Sequence, residues 1–152
     1  MPSARVLLPP AVVAGVAPTW QGLREELGLD GDFPPEALAE AEAAARAPAL
    51  PELDRTDLPL FTLDPAGSRD LDQAVAFERR PGGYRVHYAI ADVAAFVTAG
   101  GALDAEAHRR GVTLYAPDRN LPLHPDVLSA GAGSLLPGQL RPALLWTFDL
   151  DG

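Results

Sequence analysis

Apolar and polar residues alternate in the second half of the chain with the period of two that is typical of β-strands. The clearest alternation runs over residues 84–91, where one face carries Tyr84, Val86, Tyr88 and Ile90. A hairpin signal, Arg80-Pro81-Gly82-Gly83, connects this segment to residues 74–79. Residues 60–63 and 143–150 predict two further strands. We therefore expect an antiparallel-rich sheet in this part of the chain.

The first part of the chain favours helices instead of strands. Pro34 and Pro35 are placed to open a helix over residues 36–47, which Pro48 ends. The alanine-rich sequence of this helix has only a thin apolar stripe, so we expect a surface helix or a connector. A shorter helix before it is expected to end at Gly28.

These patterns divide the chain into a helical N-terminal arm with its linker, residues 1–54, and a second unit, residues 55–152. The second unit also contains a predicted short helix over residues 103–110 and a proline- and glycine-rich loop over residues 117–138. The expected fold class is α+β, with an antiparallel-rich sheet, short helices and an N-terminal helical arm.

Composition and charge narrow the class of protein. No apolar run approaches the ~18 residues of a membrane span, and two prolines interrupt the apolar stretch 6–16, which is not typical of a signal peptide. Cysteine is absent, which excludes disulfides and zinc–thiolate sites, and a cytoplasmic location is the default expectation. The 12 basic residues are all arginines and stand against 21 acidic ones, for a net charge of -9. A nucleic acid would therefore need a bound metal or a local arginine cluster to attract it.

Three aspartates, Asp64, Asp70 and Asp72, lie within nine positions around a proline–glycine turn. In an extended segment the side chains of Asp70 and Asp72 leave the same face, and the turn can fold Asp64 back towards them. Carboxylates held this close repel one another, and a hard divalent cation relieves the repulsion. Acidic turns are nevertheless more often solvated loops, and the spacing alone leaves both interpretations open. A calcium loop is a further alternative, but its alternating aspartates and sixth-position glycine are absent.

Six sequence blocks around this cluster follow one another in a recognisable order. They are Arg55-Thr56-Asp57-Leu58, FTLDPAGSRDLDQA (61–74), VHYAIADVAAFV (86–97), ALDAEAHRRGVTLYAP (102–117), LPLHPDVLS (121–129) and SLLPGQLRPAL (134–144). Together they resemble the opening half of the RNB catalytic domain of the ribonuclease II/R exoribonucleases. The resemblance leaves residues 1–54 uncovered.

The resemblance implies a processive hydrolase that trims single-stranded RNA from its 3′ end to nucleoside 5′-monophosphates, with Mg²⁺ or Mn²⁺ as the cofactor. By this match Asp64 is a metal ligand, while Asp70 and Asp72 are catalytic residues that bind metal and hold the attacking water and the scissile phosphate. Gln73 stands where the family has a fourth aspartate. Its amide oxygen can coordinate a metal but adds no charge. The alternative is therefore a catalytically weakened RNB-like module that binds RNA or protein.

The same match implies contacts with RNA. Tyr115 corresponds to an aromatic residue that packs against the 3′-terminal nucleotides, with a core tyrosine as the alternative. Arg69 and Arg110 are candidates for contacts with phosphates. His87 is interpreted as a packed strand residue, and Asp92 as a structural group that bonds to the backbone at a turn.

Only the first half of the family domain is matched by these 152 residues. The second half is expected to supply further active-site residues and most of the RNA channel. We therefore expect that half as a partner, and we expect the chain alone to be inactive or nearly so. A stand-alone structural or interaction domain with an acidic surface loop is the third alternative.

Overall fold

The computed structural model describes residues 19–29, 31–116 and 118–151. The apolar stretch 6–16 lies outside these ranges. Within them, no helix is long and apolar enough to cross a membrane. The helices and strands are α1 (residues 19–26), α2 (Pro35–Arg46), β1 (Gln73–Arg80), β2 (Gly83–Ala91), α3 (Ala102–Arg110), β3 (Leu114–Tyr115), β4 (Asn120–Leu121) and β5 (Ala143–Asp151).

The main sheet has the order β1-β2-β5 and is antiparallel throughout. Arg80 pairs with Gly83, so the predicted hairpin closes through Pro81 and Gly82 alone. Gly82 has a φ of 82°, which suits the third position of a type II turn after proline. The strand predicted at residues 60–63 is wrong in extent, because it is reduced to a single bridge between Phe61 and Val75.

The two faces of this sheet differ in side-chain size and in exposure. One face carries small buried residues, among them Ala74, Ala76 and Ala89. The other carries large apolar side chains that are about half exposed in the described part of the chain, with Trp146 at 55% and Phe148 at 47%. We call it the open face; its exposed members are Phe77, Tyr84, Leu144, Trp146, Phe148 and Leu150.

Helix α2 is a surface helix, as one of the two predicted alternatives has it, and not merely a connector, because one side of it is part of the core. Ala41 is fully buried and packs in one cluster with Phe96, Leu103 and Leu128. Leu103 belongs to α3 and Leu128 to the short helical segment Leu128–Ala132, both far along the chain. Because alanine has only a methyl group, the backbone of α2 can approach its neighbours closely, so a thin apolar stripe is enough to bury one side of the helix.

A buried ion pair fixes α3 to its surroundings. Glu106 is only 5% exposed, and it accepts hydrogen bonds from the guanidinium groups of Arg109 (2.6 and 2.8 Å) and Arg110 (2.7 Å). The bonds from Arg109, followed by those from Arg110, lower the pKa of Glu106 from its usual 4.5 to about 2. The charged form of Glu106 is therefore favoured by folding.

Arg110 also joins two distant segments to α3. Its guanidinium donates to the carbonyl oxygens of Pro122 (3.2 Å) and Asp32 (2.7 Å) and lies 3.6 Å from the ring centre of Phe33. The side chain is 6% exposed. This burial disagrees with the expectation that Arg110 contacts RNA, because the group already neutralises Glu106 and packs inside the protein.

Replacing Glu106 by Gln should lower the free energy of unfolding at pH 7 by roughly 3 kcal/mol, because it leaves two arginines without their buried partner. The pKa of Glu106 is lowered by folding, so its stabilisation is present above pH 4.5 and is lost as the pH falls towards 2. Urea unfolding of both proteins should therefore give curves that converge over that pH range. Glu42→Gln, at an exposed pair with Arg46, is the control and should change stability little. Equal losses in the two variants would contradict this account.

Candidate metal and phosphodiester site

The loop that carries the three aspartates is closed by backbone pairing at its two ends. Phe61 and Val75 exchange two hydrogen bonds of 2.9 Å. Inside the loop, the N–H of Ser68 donates to the carbonyl of Pro65 (3.1 Å), and Gly67 takes a φ of 92°. The chain thus reverses after the first aspartate, as the proline–glycine turn predicts.

Ser134 fixes the second side of the loop. It is fully buried, and its hydroxyl accepts from the N–H of Leu71 (2.8 Å) and donates to the carbonyl of Arg69 (2.6 Å). The N–H of Leu135 donates to the carbonyl of Leu71 (2.8 Å). These bonds hold the backbone on both sides of Asp70 and bury Leu71, so that Asp70 is left exposed.

The three aspartates line one pocket of about 330 Å³, which we call the acidic pocket. Its lining residues are Phe61, Leu63, Asp64, Asp70, Asp72, Gln73, Val75 and Tyr88. Burial, and then the negative charges of Asp70 and Asp64, raise the pKa of Asp72. The carboxylates are therefore close enough to repel one another.

The carboxylates share the acidic pocket without forming a closed cage. Among the described residues, no three carboxylate or imidazole side chains are arranged so that they could already hold a metal ion. The described side chains that line the pocket include no arginine or histidine that would neutralise the carboxylates. The donor set itself, three carboxylates and one amide, consists of the hard oxygen ligands that Mg²⁺ and Mn²⁺ prefer, so its chemistry fits such a cation.

Gln73 and Tyr88 meet at the wall of the acidic pocket. The hydroxyl of Tyr88 donates a hydrogen bond to Oε1 of Gln73. Sequence reasoning placed Tyr88 on a strand face and assigned it no role at the site. Both this contact and the one made by Ser134 depend on tertiary structure, and no local sequence signal indicates either.

The predicted RNA-contacting residues lie outside the acidic pocket. Tyr115 is 75% exposed, which excludes the alternative of a core tyrosine. Arg69 is exposed and lines a larger groove of about 1490 Å³, which also reaches Asp64 and Phe61. The groove and the acidic pocket therefore meet at these two residues.

The two residues interpreted as structural behave as expected. His87 is buried, and its Nδ1 lies 3.2 Å from Oγ1 of Thr147 on the neighbouring strand. The carboxylate of Asp92 accepts a hydrogen bond from the N–H of Ala94 (3.1 Å) and caps the short helical turn Val93–Ala95. Neither side chain lines the acidic pocket.

Comparison with protein-family models gives a match to the RNB domain over residues 53–152. The chain belongs to the RNB domain family. Ribonuclease R of Acidithiobacillus ferrooxidans is 39% identical over 128 residues, which cover 82% of this RNB chain and 29% of that protein. An Arabidopsis thaliana protein named Inactive exonuclease DIS3L2 is 38% identical over 133 residues, which cover 81% of this chain and 12% of that protein. The chain thus spans less than a third of the length of these curated relatives.

A solved structure supports the same assignment. Mycoplasma genitalium RNase R, in complex with ribose-methylated single-stranded RNA, is 30% identical and has a TM-score of 0.66. The likeness covers 81% of this chain and 20% of that one. Together with the observed helices and antiparallel sheet, it confirms the prediction of an RNB-like α+β fold.

Replacing Ser134 by Ala should lower the free energy of unfolding of this RNB chain by about 1–3 kcal/mol, because a backbone N–H and a backbone carbonyl lose their partner in a buried place. Urea unfolding measures the change. Ser129→Ala is the matched control, since its hydroxyl makes only long contacts of 3.4 Å. A loss no larger than that of the control would show that Ser134 does not hold the loop.

Proposed function

We propose that this chain is the metal-binding half of an exoribonuclease that hydrolyses single-stranded RNA from its 3′ end to nucleoside 5′-monophosphates. The observation that carries the proposal is the placement of three aspartates in one acidic pocket of a chain that belongs to the RNB domain family. The similar structure of an RNase R in complex with ribose-methylated single-stranded RNA supports single-stranded RNA as the substrate class.

Asp64, Asp70 and Asp72 would hold Mg²⁺ or Mn²⁺. When bound, such a cation would supply positive charge for the scissile phosphate and would make a water a stronger nucleophile. The chain's own contribution is to fix the carboxylates through the loop that Ser134 anchors. We assign Asp70 and Asp72 to holding the attacking water and the scissile phosphate, as the family resemblance implies.

We propose Arg69 and Tyr115 as contacts for the RNA. Arg69 lines the groove that meets the pocket at Asp64, which supports its assignment to a phosphate contact. The exposed ring of Tyr115 can stack on a base, which is worth ~1–3 kcal/mol per base. Arg110 has no part in this surface, because it is buried against Glu106.

We propose that the remainder of the RNB domain packs against the open face. The curated relatives extend well beyond the part that this chain matches. Val75 and Tyr88 belong both to the sheet face and to the wall of the acidic pocket, so a segment packed on the open face would also enclose that pocket. Enclosure excludes water and strengthens electrostatic interactions. We therefore expect little activity from the chain alone.

Complementation tests this proposal. The chain is mixed with the C-terminal half of the RNB domain of a Ribonuclease R and with a 5′-labelled RNA, in the presence of Mn²⁺, of Mg²⁺ or of a chelator. Shortening of the labelled RNA is followed on a gel, and the released nucleoside 5′-monophosphates are identified by chromatography. We expect metal-dependent trimming by the mixture only. Since losing a group that merely supports a ligand costs 10–100-fold, Asp72→Asn should reduce the rate by at least about 100-fold. Asp126→Asn, at an exposed position outside the pocket, is the control. Trimming that is insensitive to metal or to Asp72→Asn would contradict the proposal.

A catalytically weakened binding module is the second candidate. Two observations favour it: Gln73 replaces a family aspartate, and one relative carries the name of an inactive exonuclease. The same complementation separates the two functions. A well-folded mixture that binds the RNA with either metal and releases no monophosphate would establish the module.

A further inference from the structure

The strand register brings Gln73 and Tyr88 together. Gln73 pairs with Ile90, and Val75 pairs with Tyr88, so Gln73 and Tyr88 are diagonal neighbours on the same face of adjacent strands. Diagonal neighbours lie ~7–8 Å apart, which is within reach of a tyrosine and a glutamine side chain. Their contact is the hydrogen bond from the Tyr88 hydroxyl to Oε1 of Gln73.

This hydrogen bond constrains how the Gln73 amide can act. A primary amide has one oxygen with two lone pairs and one nitrogen that donates two hydrogen bonds. The Tyr88 hydroxyl already donates to the oxygen, which is the only atom of the amide that can coordinate a hard cation, so a cation at this oxygen would have to share it with Tyr88. The nitrogen is the end that the amide can offer as a donor to a molecule in the acidic pocket.

We propose that Gln73 is a hydrogen-bond donor to a phosphate oxygen of the RNA, not a metal ligand, and that Tyr88 is the positioning residue that holds it in this orientation. The inference rests on the proposed function and revises the role that the family resemblance gives to Gln73. A neutral donor suits this position, because the other polar groups that line the pocket include three carboxylates, which repel a phosphate.

The net charge of the acidic pocket also favours Gln73 as a donor to phosphate. Three carboxylates and one divalent cation leave a net charge of about -1, against which a phosphodiester must bind. A fourth carboxylate would add repulsion unless a second cation accompanied it. An amide that donates to the phosphate stabilises the bound RNA without a second metal ion.

Mn²⁺ binding to the full chain, followed by electron paramagnetic resonance of free Mn²⁺, tests the ligand assignment. We expect Gln73→Ala and Tyr88→Phe to keep the Mn²⁺ affinity within about two-fold of the wild type, whereas Asp72→Asn weakens it by at least about ten-fold. A loss in Gln73→Ala as large as that in Asp72→Asn would overturn the inference. Absence of Mn²⁺ binding to the wild-type chain would instead count against the proposed function.

Adenosine 5′-monophosphate at saturating Mn²⁺ tests the contact with phosphate. Gln73→Glu keeps an acceptor for Tyr88 but removes both donors, so we expect tighter Mn²⁺ binding together with nucleotide affinity at least about five-fold weaker. If Gln73 were a metal ligand, the same variant would tighten Mn²⁺ without weakening the nucleotide, and that result would overturn the inference. A wild-type chain that binds no nucleotide would also contradict the phosphate contact.

The Tyr88–Gln73 pair can be tested without any metal. A double-mutant cycle of Tyr88→Phe and Gln73→Ala in urea unfolding should be non-additive, because both changes remove the same hydrogen bond. Tyr84→Phe, on the same sheet face, combined with Gln73→Ala is the control cycle and should be additive. Additivity of the Tyr88 cycle would overturn the positioning role even if metal binding behaved as proposed.

Discussion

Repulsion among three carboxylates in one pocket is the constraint on which the site depends. The loop from Phe61 to Val75 is closed by backbone bonds, and Ser134 fixes its far side, so the aspartates cannot move far apart. Burial, and then the negative charges of Asp70 and Asp64, raise the pKa of Asp72. The fold therefore stores an unfavourable interaction that a divalent cation would relieve.

The positive charge of the chain is used mostly for structure. Arg109 and Arg110 neutralise the buried Glu106, and Arg85 makes a bidentate pair with Asp149 across β2 and β5. With a net charge of -9, the proposed binding of RNA would depend on a bound cation and on local groups such as Arg69. The open face is also uncovered in the described part of the chain. Val75 and Tyr88 belong both to this face and to the lining of the acidic pocket.

Local features of the fold could be predicted from the sequence, and contacts between distant residues could not. Pro81 and Gly82 specify the hairpin, and Gly111, at a φ of 75°, ends α3 as expected. The proximity of the three aspartates could be predicted from the proline–glycine turn after Asp64 and from the two-residue repeat of an extended segment, which puts Asp70 and Asp72 on one face. The burial of α2, by contrast, depends on which surface its alanines meet. The same holds for Arg110. An arginine on a short helix is predicted to be a surface residue, and its burial depends on partners that are distant in the sequence.

The most direct measurement is the anomalous diffraction of Mn²⁺ in crystals of the chain. The account predicts one Mn²⁺ in the acidic pocket, bound by oxygens of Asp64, Asp70 and Asp72, with Oε1 of Gln73 still on Tyr88. Manganese found only outside this pocket, or none bound at concentrations that saturate related enzymes, would contradict the claim that the three aspartates form a metal site.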